Sequence, residues 1–226
     1  MGMTTHTSSG DPSQAGRIYG GESLSDRVAR RRQLFLDAGL QVFGTTGYRG
    51  ATVRMLCKQA GLTDRYFYES FENTEELLMA VYLQCMDRLQ GAVLEAVMHE
   101  DGGEPNQRIL AGLDVFFTIV SDARLARVCW LECLGVSPRV DAMYNDNVNG
   151  FAALILNFTR AHFPRWEIED EEAQVLGIAA VGAVSQTVMH WLLGQYREPR
   201  ATMVSATARV FMGLLATTLA SPAAKT

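Results

Sequence analysis

The sequence has 226 residues, of which 48% are hydrophobic and 20% are charged, and it contains four cysteines. This composition is ordinary for a soluble globular protein, and it excludes both a chain that is disordered throughout and a small disulfide-stapled scaffold. A mean hydropathy of +0.01 likewise excludes a protein with several membrane spans. The formal net charge of −5 gives no sign of a nucleic-acid partner.

The charge is, however, unevenly distributed along the chain. Between Glu22 and Ser70 there are eight basic residues and five acidic ones, whereas from Phe71 onward there are eleven basic residues and nineteen acidic ones. A basic head on an acidic body is expected when only one part of a protein meets a polyanion. On charge alone, a chance fluctuation among surface residues remains an alternative.

The two ends of the chain raise the question of targeting segments. Residues 1–22 are rich in glycine, serine and threonine and contain no apolar run, so we predict a disordered tail, no secretory signal and a cytoplasmic location. Near the other end, the nineteen residues Val175–Leu193 carry no charge but include several polar side chains. We predict a buried helix with two apolar faces there, in preference to a membrane span.

Between the ends, capping residues and apolar spacing predict a succession of helices. Ser23 or Ser25 begins a first helix that runs to about Phe43. Thr52 then caps a short second helix, which Gly61 ends after barely two turns. These are the first two helices of the predicted head.

The rest of the chain continues the helical pattern. Thr63 caps a third short helix, and Asn73 opens a long helix that runs from Thr74 towards His99. Five prolines then divide the chain into four blocks with apolar residues at helical spacing, namely Pro105, Pro138, Pro164, Pro199 and Pro222. Because no block shows two-residue alternation or a hairpin signal, we predict an all-α protein.

The second and third helices, joined at Gly61, have the anatomy of a helix-turn-helix motif. The third helix would bury one stripe, formed by Leu62, Phe67 and Phe71, and would offer its polar face to a DNA groove. Arginine there can bond a guanine edge, and tyrosine or threonine can reach phosphate. Spacing alone leaves open a second interpretation, in which two helices pack together and their polar face is merely solvated.

A series of short motifs distinguishes the two interpretations. The motifs follow one another over about forty-five residues: Ala38-Gly39-Leu40 with Phe43, Gly47-Tyr48, Thr52-Val53-Arg54, Ala60-Gly61-Leu62-Thr63, Phe67-Tyr68 with Phe71, and Glu76-Leu77-Leu78. In these residues the run Phe35–Leu78 resembles the DNA-binding domain of the tetracycline-repressor (TetR) family. The resemblance implies a helix-turn-helix DNA-binding domain at 23–72, joined to a helical ligand-binding and dimerisation domain at 73–222.

The resemblance also implies roles at the matching positions. Thr52 would hold a phosphate through its hydroxyl and the free amides of its helix, and Arg54 would reach phosphate or a base edge. The third helix would supply the remaining contacts: Thr63, Arg65 and Tyr66 in the major groove, and Tyr68 on the DNA backbone.

Two positions depart from the pattern of the family. Ser70 stands where members commonly have His or Tyr, and Thr74 stands where they commonly have Lys. In the family both positions usually contact phosphate. The acidic residues Asp64 and Glu69 lie on the same helix as Ser70. The departures predict weaker phosphate anchoring, or anchoring that is shifted to nearby arginines, namely Arg30, Arg31, Arg32 and Arg49.

In such proteins the body dimerises through its last two helices. Val175–Leu193 is apolar almost all round, and small residues within it would let another helix approach closely. Ala206–Leu219 has the same character. Helices with this much apolar surface indicate a homodimer interface. Burial within one chain is the alternative.

The body would also hold a cavity for a small, largely apolar effector. The candidate lining residues are Phe116, Trp130, Met143, Phe151, Phe158 and His190. Taken singly, each of them is more readily explained as a core residue. Cys129 and Cys133, one helical turn apart, could hold a metal or sense oxidation, but core packing is the favoured interpretation.

No phosphate-binding loop, nucleophile elbow or metalloprotease motif occurs in the sequence, so we predict neither an enzyme nor a cofactor nor a bound metal. The sequence therefore indicates a homodimeric, cytoplasmic repressor that binds a palindromic DNA operator and is released by its effector. An architectural or constitutive DNA-binding protein without an effector is the alternative. A helical enzyme or carrier comes third, because it leaves the basic head unexplained.

Overall fold

The computed structural model describes residues 23–99, 104–163, 166 and 168–220. The predicted N-terminal tail, Pro164 and Pro222 lie outside these residues. Within the described ranges every regular element is helical, which confirms the all-α prediction.

The head contains three helices and the beginning of a fourth. They are α1 (Leu24–Thr45), α2 (Val53–Ala60), α3 (Asp64–Ser70) and α4 (Thr74–His99), with a 3-10 turn at Tyr48–Gly50 before α2. Ser23 caps α1 in a reciprocal pair with Asp26, and the Thr52 hydroxyl accepts the Met55 amide at 3.3 Å. Gly61 ends α2 with a φ of +67°, a left-handed conformation that a glycine adopts without strain. The capping residues thus begin and end these helices where the sequence predicts.

Aromatic rings fill the centre of the head. The ring of Phe35 on α1 meets that of Phe67 on α3 edge to face, with centroids 5.4 Å apart, and it meets Phe71 at 6.4 Å. Leu77 and Leu78 at the start of α4 are fully buried in the same core. The helix α3, which would be the DNA-recognition helix of the predicted motif, therefore packs on α1 and shares a core with the base of α4.

The body is built from the rest of α4 and five further helices. These are α5 (Pro105–Ile119), α6 (Ala123–Arg127), α7 (Pro138–His162), α8 (Asp170–Leu193) and α9 (Arg200–Ala220). A π-helical turn at Val128–Glu132, which the sequence did not predict, follows α6 directly. Pro105 and Pro138 each lie in the first turn of a helix, where proline is tolerated.

The helix α8 is only partly buried by its own chain. Among the described residues it is the one helix long and apolar enough to cross a membrane by length and composition, and 28% of its most apolar window is buried. Val175 of α8 is 65% exposed, and Val210 of α9 is 47% exposed. Burial within one chain, the alternative to an interface, thus leaves part of this apolar surface uncovered.

Head and body meet where α1 packs on α6. A side chain at Gly44 of α1 would place its Cβ 2.5 Å from Cβ of Arg124 on α6, so the close approach requires glycine. The Arg124 guanidinium donates to Gln41 Oε1 at 2.8 Å and to Asp122, and its hydrogen bond holds the pKa of the Asp122 carboxyl below its usual range. The head is therefore in firm contact with the body through α6 as well as through α4.

Candidate functional site

The polar face of α3 carries most of the residues that the sequence predicts to contact DNA. Phe67 points into the core, while Thr63, Arg65 and Tyr68 are exposed to solvent. The Thr63 hydroxyl makes no capping hydrogen bond to α3. The Ser70 hydroxyl, in contrast, donates to the Tyr66 carbonyl at 2.9 Å, so its own helix already uses it.

An ionic cluster holds part of this face. Glu69 accepts from Arg65 Nε at 2.9 Å, and it lies 3.8 Å from the Arg31 guanidinium of α1. Arg31 also stacks over the half-buried ring of Tyr66, 4.5 Å from its centroid. The carboxylate of Glu69 therefore pairs with Arg65 of α3 and lies within ion-pair distance of Arg31 of α1. The sequence drew attention to its charge but not to this pairing.

The N-terminus of α2 and the preceding turn hold the remaining predicted DNA contacts. Thr52 and Arg54 are exposed at the first turn of α2. Arg49, in the 3-10 turn, is exposed as well, and it lines a cleft shared with Arg127 and Glu132 of the body. The structure therefore places Arg49 at the junction of head and body, apart from the polar face of α3.

The body contains an apolar cavity of about 240 Å³. It is lined from α4, α5, α7, α8, α9 and the π-helical turn, and four of the six predicted residues line it, namely Phe116, Trp130, Phe151 and Phe158. Phe211, Leu214 and Leu215 of α9 also face the cavity. Much of the apolar surface of α9 that the sequence assigned to a dimer interface is therefore turned towards the body.

Two predicted lining residues lie elsewhere. Met143 is packed against the core but does not line the cavity. The His190 side chain is 70% exposed, and its Nε2 lies 3.7 Å from Glu198. His190 occurs one residue before the buried Trp191, so the helical turn that buries the indole turns the imidazole outward. The prediction that Met143 and His190 line the cavity is therefore wrong.

The described part of the cavity wall is uncharged. Among the described residues that line the cavity, none is an acid, a lysine, an arginine or a histidine. Burial raises the pKa of the Tyr82 and Tyr144 phenols and of the Cys129 thiol, so these groups stay uncharged at neutral pH.

Among the described residues of the cavity wall, Asn147 has a fully buried side-chain oxygen, Oδ1, that accepts no hydrogen bond within the described part of the chain. Sequence reasoning missed this residue, although its position one helical turn before Phe151 was a usable signal.

A carboxylate connects the cavity wall to the head. Glu132, at the end of the π-helical turn, accepts the Tyr48 amide at 2.7 Å and Arg127 Nε at 2.8 Å. The same turn contributes Cys129 and Trp130 to the cavity lining. The π-helical turn of five residues thus joins the cavity to the turn that precedes α2.

The sequence of this chain is similar to those of several bacterial regulators. The family model for bacterial regulatory proteins of the tetR family matches residues 35–81. The fatty acid metabolism regulator protein of Bacillus subtilis is 20% identical over 164 residues, which cover 72% of this chain and 84% of that protein. The HTH-type transcriptional activator FasR of Mycolicibacterium smegmatis is 23% identical over 179 residues, or 78% and 80% of the two chains. BetI, an HTH-type transcriptional regulator of Escherichia coli K12, is 27% identical over 154 residues, or 68% and 77%.

Solved structures share the fold. The fatty acid degradation regulator FadR from Bacillus halodurans superposes with a TM-score of 0.71 at 19% identity, over 81% of this chain and 95% of that one. FadR from Bacillus subtilis in complex with stearoyl-CoA gives a TM-score of 0.67 at 18% identity, over 79% and 96%. At these identities the likeness establishes the common architecture of head and body.

Proposed function

The chain belongs to the tetR family of bacterial regulatory proteins, and on that basis we propose that it is a ligand-responsive repressor that binds a palindromic DNA operator as a homodimer. It is a transcriptional regulator rather than an enzyme. In this proposal residues 23–72 form the DNA-binding domain, and residues 73–222 form the ligand-binding and dimerisation domain. Because such a regulator acts on the chromosome, we assign it to the cytoplasm.

The main support for the proposal is that the single helix α4 belongs both to the core of the head and to the wall of the cavity. α4 contributes Leu77 and Leu78 to the core of the head, and two turns later it contributes Met86 and Leu89 to the lining of the cavity. A molecule that displaces α4 in the cavity therefore also displaces the recognition helix. This connection favours an effector-controlled regulator over an architectural DNA-binding protein that has no use for a cavity.

The Glu132 contact gives a second connection. An effector that moves Trp130 also moves Glu132, and with it the turn that presents Arg49 and Thr52. A hundredfold difference in effector affinity between the two DNA-binding states, about 2.7 kcal/mol, is sufficient to release an operator. Contact with one or two buried aromatic rings supplies energy of that order.

The proposed effector is small and largely apolar. Aromatic and aliphatic side chains make up most of the cavity wall, and they include Phe116, Phe151 and Phe158. That FadR of Bacillus subtilis has been solved with stearoyl-CoA supports an effector with an apolar chain.

Dimerisation is proposed to use the exposed apolar surface of α8 and α9. Val175, Ile178 and Val210 are exposed large apolar residues on these two helices. In a dimer of two-fold symmetry the recognition helices would reach successive major grooves, about 34–36 Å apart or a multiple of that spacing.

Selection of operator DNA from a random pool tests the proposal. We expect a roughly palindromic sequence. Arg65→Ala should relax the selected sequence and cost about 1–3 kcal/mol of binding free energy, because arginine reads guanine edges. Thr52→Ala is the matched control, and it should weaken binding to all sequences alike because a hydroxyl at a helix N-terminus holds phosphate. Equal binding of random and selected DNA at every salt concentration would refute the proposal.

A further inference from the structure

We propose that the part of the effector that enters the cavity is uncharged, with an apolar chain and a hydrogen-bond donor, and that Asn147 binds this donor group. The inference rests on the proposed function of the cavity, and it specifies the chemical class of the ligand. Three properties of the cavity wall lead to it: the lack of charge among its described residues, the hydrogen bonds that already pair several of its polar side chains within the protein, and the buried amide oxygen of Asn147 that has no such bond.

The first property excludes ions. None of the described lining residues carries a formal charge, and the phenols and the thiol in the wall are held neutral by burial. An ion that enters such a site loses its hydration and finds no counter-charge. Carboxylate, phosphate and ammonium groups are therefore excluded from the interior, although they are tolerated on any part of a ligand that remains in solvent.

The second property is that several polar side chains of the wall already have hydrogen-bond partners within the protein. The Thr159 hydroxyl donates to the Ile155 carbonyl at 2.8 Å within its own helix. The Trp166 indole donates to the Thr218 hydroxyl at 2.8 Å. These groups are already paired within the protein, so they do not require a ligand.

The third property identifies the anchor. Asn147 Oδ1 is buried in the wall without a hydrogen bond among the described residues, and a buried polar atom in this state is costly. It requires a donor, which an O–H or N–H group of the ligand can supply. A hydroxyl or a primary carboxamide also accepts from the amide nitrogen of Asn147, so either group satisfies both ends of the side chain.

The position of Asn147 fixes the direction of the ligand. Asn147 lies on α7 one turn from Phe151, and Phe151 and Phe158 line the cavity from later turns of the same helix. An end group at Asn147 therefore places the apolar chain along the phenylalanines.

Four probes with the same ten-carbon chain test the inference by calorimetry at pH 7.5: decanamide, 1-decanol, methyl decanoate and decanoate. We expect decanamide and 1-decanol to bind at least tenfold more tightly than methyl decanoate, which has no donor for Asn147. Decanoate is ionised at this pH and should bind most weakly.

Two variants of the full chain complete the experiment. Asn147→Leu should lower the affinity for decanamide by about tenfold to a hundredfold and that for methyl decanoate by less, because the ester can only accept from the Asn147 amide nitrogen and has no donor for its oxygen. Asn149→Leu, which changes an exposed residue on the same helix, should alter neither affinity. If Asn147→Leu does not fold, the order of the four probes on the unmodified chain decides the question.

Three outcomes would overturn the inference: decanoate binding as tightly as decanamide, Asn147→Leu binding all probes as the unmodified chain does, or no probe binding at all. The test is separate from that of the proposed function. If the probes bind in the expected order but do not change the affinity for operator DNA, the ligand class stands and the regulatory function fails.

Discussion

The head and the body of this protein are both built from helices, but the head is tightly packed whereas the body encloses a cavity. In the head Phe35, Phe67 and Phe71 are at most 2% exposed and meet edge to face. In the body Phe151 and Phe158 are only half-buried, and they face a cavity of about 240 Å³. The difference fits the two proposed tasks of the protein. Reading DNA requires a recognition helix that is held rigidly, whereas sensing a ligand requires space that the native core leaves unfilled.

The largest effect that tests this comparison is on stability. Phe35→Ala should lower the free energy of unfolding by about 3–5 kcal/mol, because it removes a fully packed ring and leaves a cavity behind. Phe151→Ala should cost distinctly less, because one side of its ring already faces empty space. Chemical denaturation of the two variants, followed by circular dichroism, measures both values. Equal losses would show that the head and the body are packed alike.

The head could be predicted from the sequence because its signals are local. Ser23, Thr52 and Gly61 act on residues within one or two turns of themselves, so the pattern of capping and glycine residues predicts the succession of helices, although the Thr63 hydroxyl makes no capping hydrogen bond to α3. The motifs over Phe35–Leu78 added the predicted DNA-contacting face of α3. What the sequence did not reveal there is the cluster around Glu69, since the partner Arg31 comes from a different helix.

The cavity could be predicted only as a class of site. Which residues line it depends on how α7, α8 and α9 rotate against α4, and helical spacing alone leaves that rotation open. His190 therefore faces solvent while Asn147, which drew no attention in the sequence, lines the wall. The Glu132 contact joins positions 84 residues apart and follows an unpredicted π-helical turn. Contacts between residues so far apart in the chain produce no periodic pattern in the sequence.

The next effect tests whether the open apolar surface of the body is an interface. Val210→Glu should convert the dimer to a monomer at micromolar concentration, because it buries an unpaired charge in the interface. Operator affinity should fall by at least about a hundredfold, since the two recognition helices then no longer bind as one unit. Light scattering and fluorescence anisotropy with operator DNA measure the two changes.

The control for this variant is a second charge on the same helix. Arg209→Glu places an acid at the exposed neighbour of Val210 and should be tolerated if the interface is centred on the apolar residues. A dimer that survives Val210→Glu would show that another surface joins the protomers.

A smaller effect is expected where head and body are joined. Glu132→Ala removes the acceptor of the Tyr48 amide, and it should destabilise the turn before α2 by about 1–3 kcal/mol. Hydrogen exchange should then become at least tenfold faster in Tyr48–Gly50 and α2, while α8 stays protected. Glu132→Gln retains an acceptor for the amide but loses the charge that pairs with Arg127, so its exchange should be intermediate. Unchanged exchange in Glu132→Ala would mean that the contact does not join the two regions.

The smallest effect concerns the recognition face itself, where Glu69 binds Arg65 and approaches Arg31. Exposed ion pairs of this kind contribute at most about 1 kcal/mol, so Glu69→Gln should leave the stability of the head nearly unchanged. It frees two arginines for phosphate and removes a like charge from the DNA surface, and we therefore expect operator affinity to rise severalfold. If one more phosphate is contacted, the slope of log affinity against log salt should steepen by about 0.9.

Glu95→Gln, which removes the same charge from an exposed position of α4 in the body, is the matched control. An equal gain in both variants would assign the effect to net charge, and a loss of affinity in Glu69→Gln would show that the carboxylate holds Arg65 in the orientation that DNA requires.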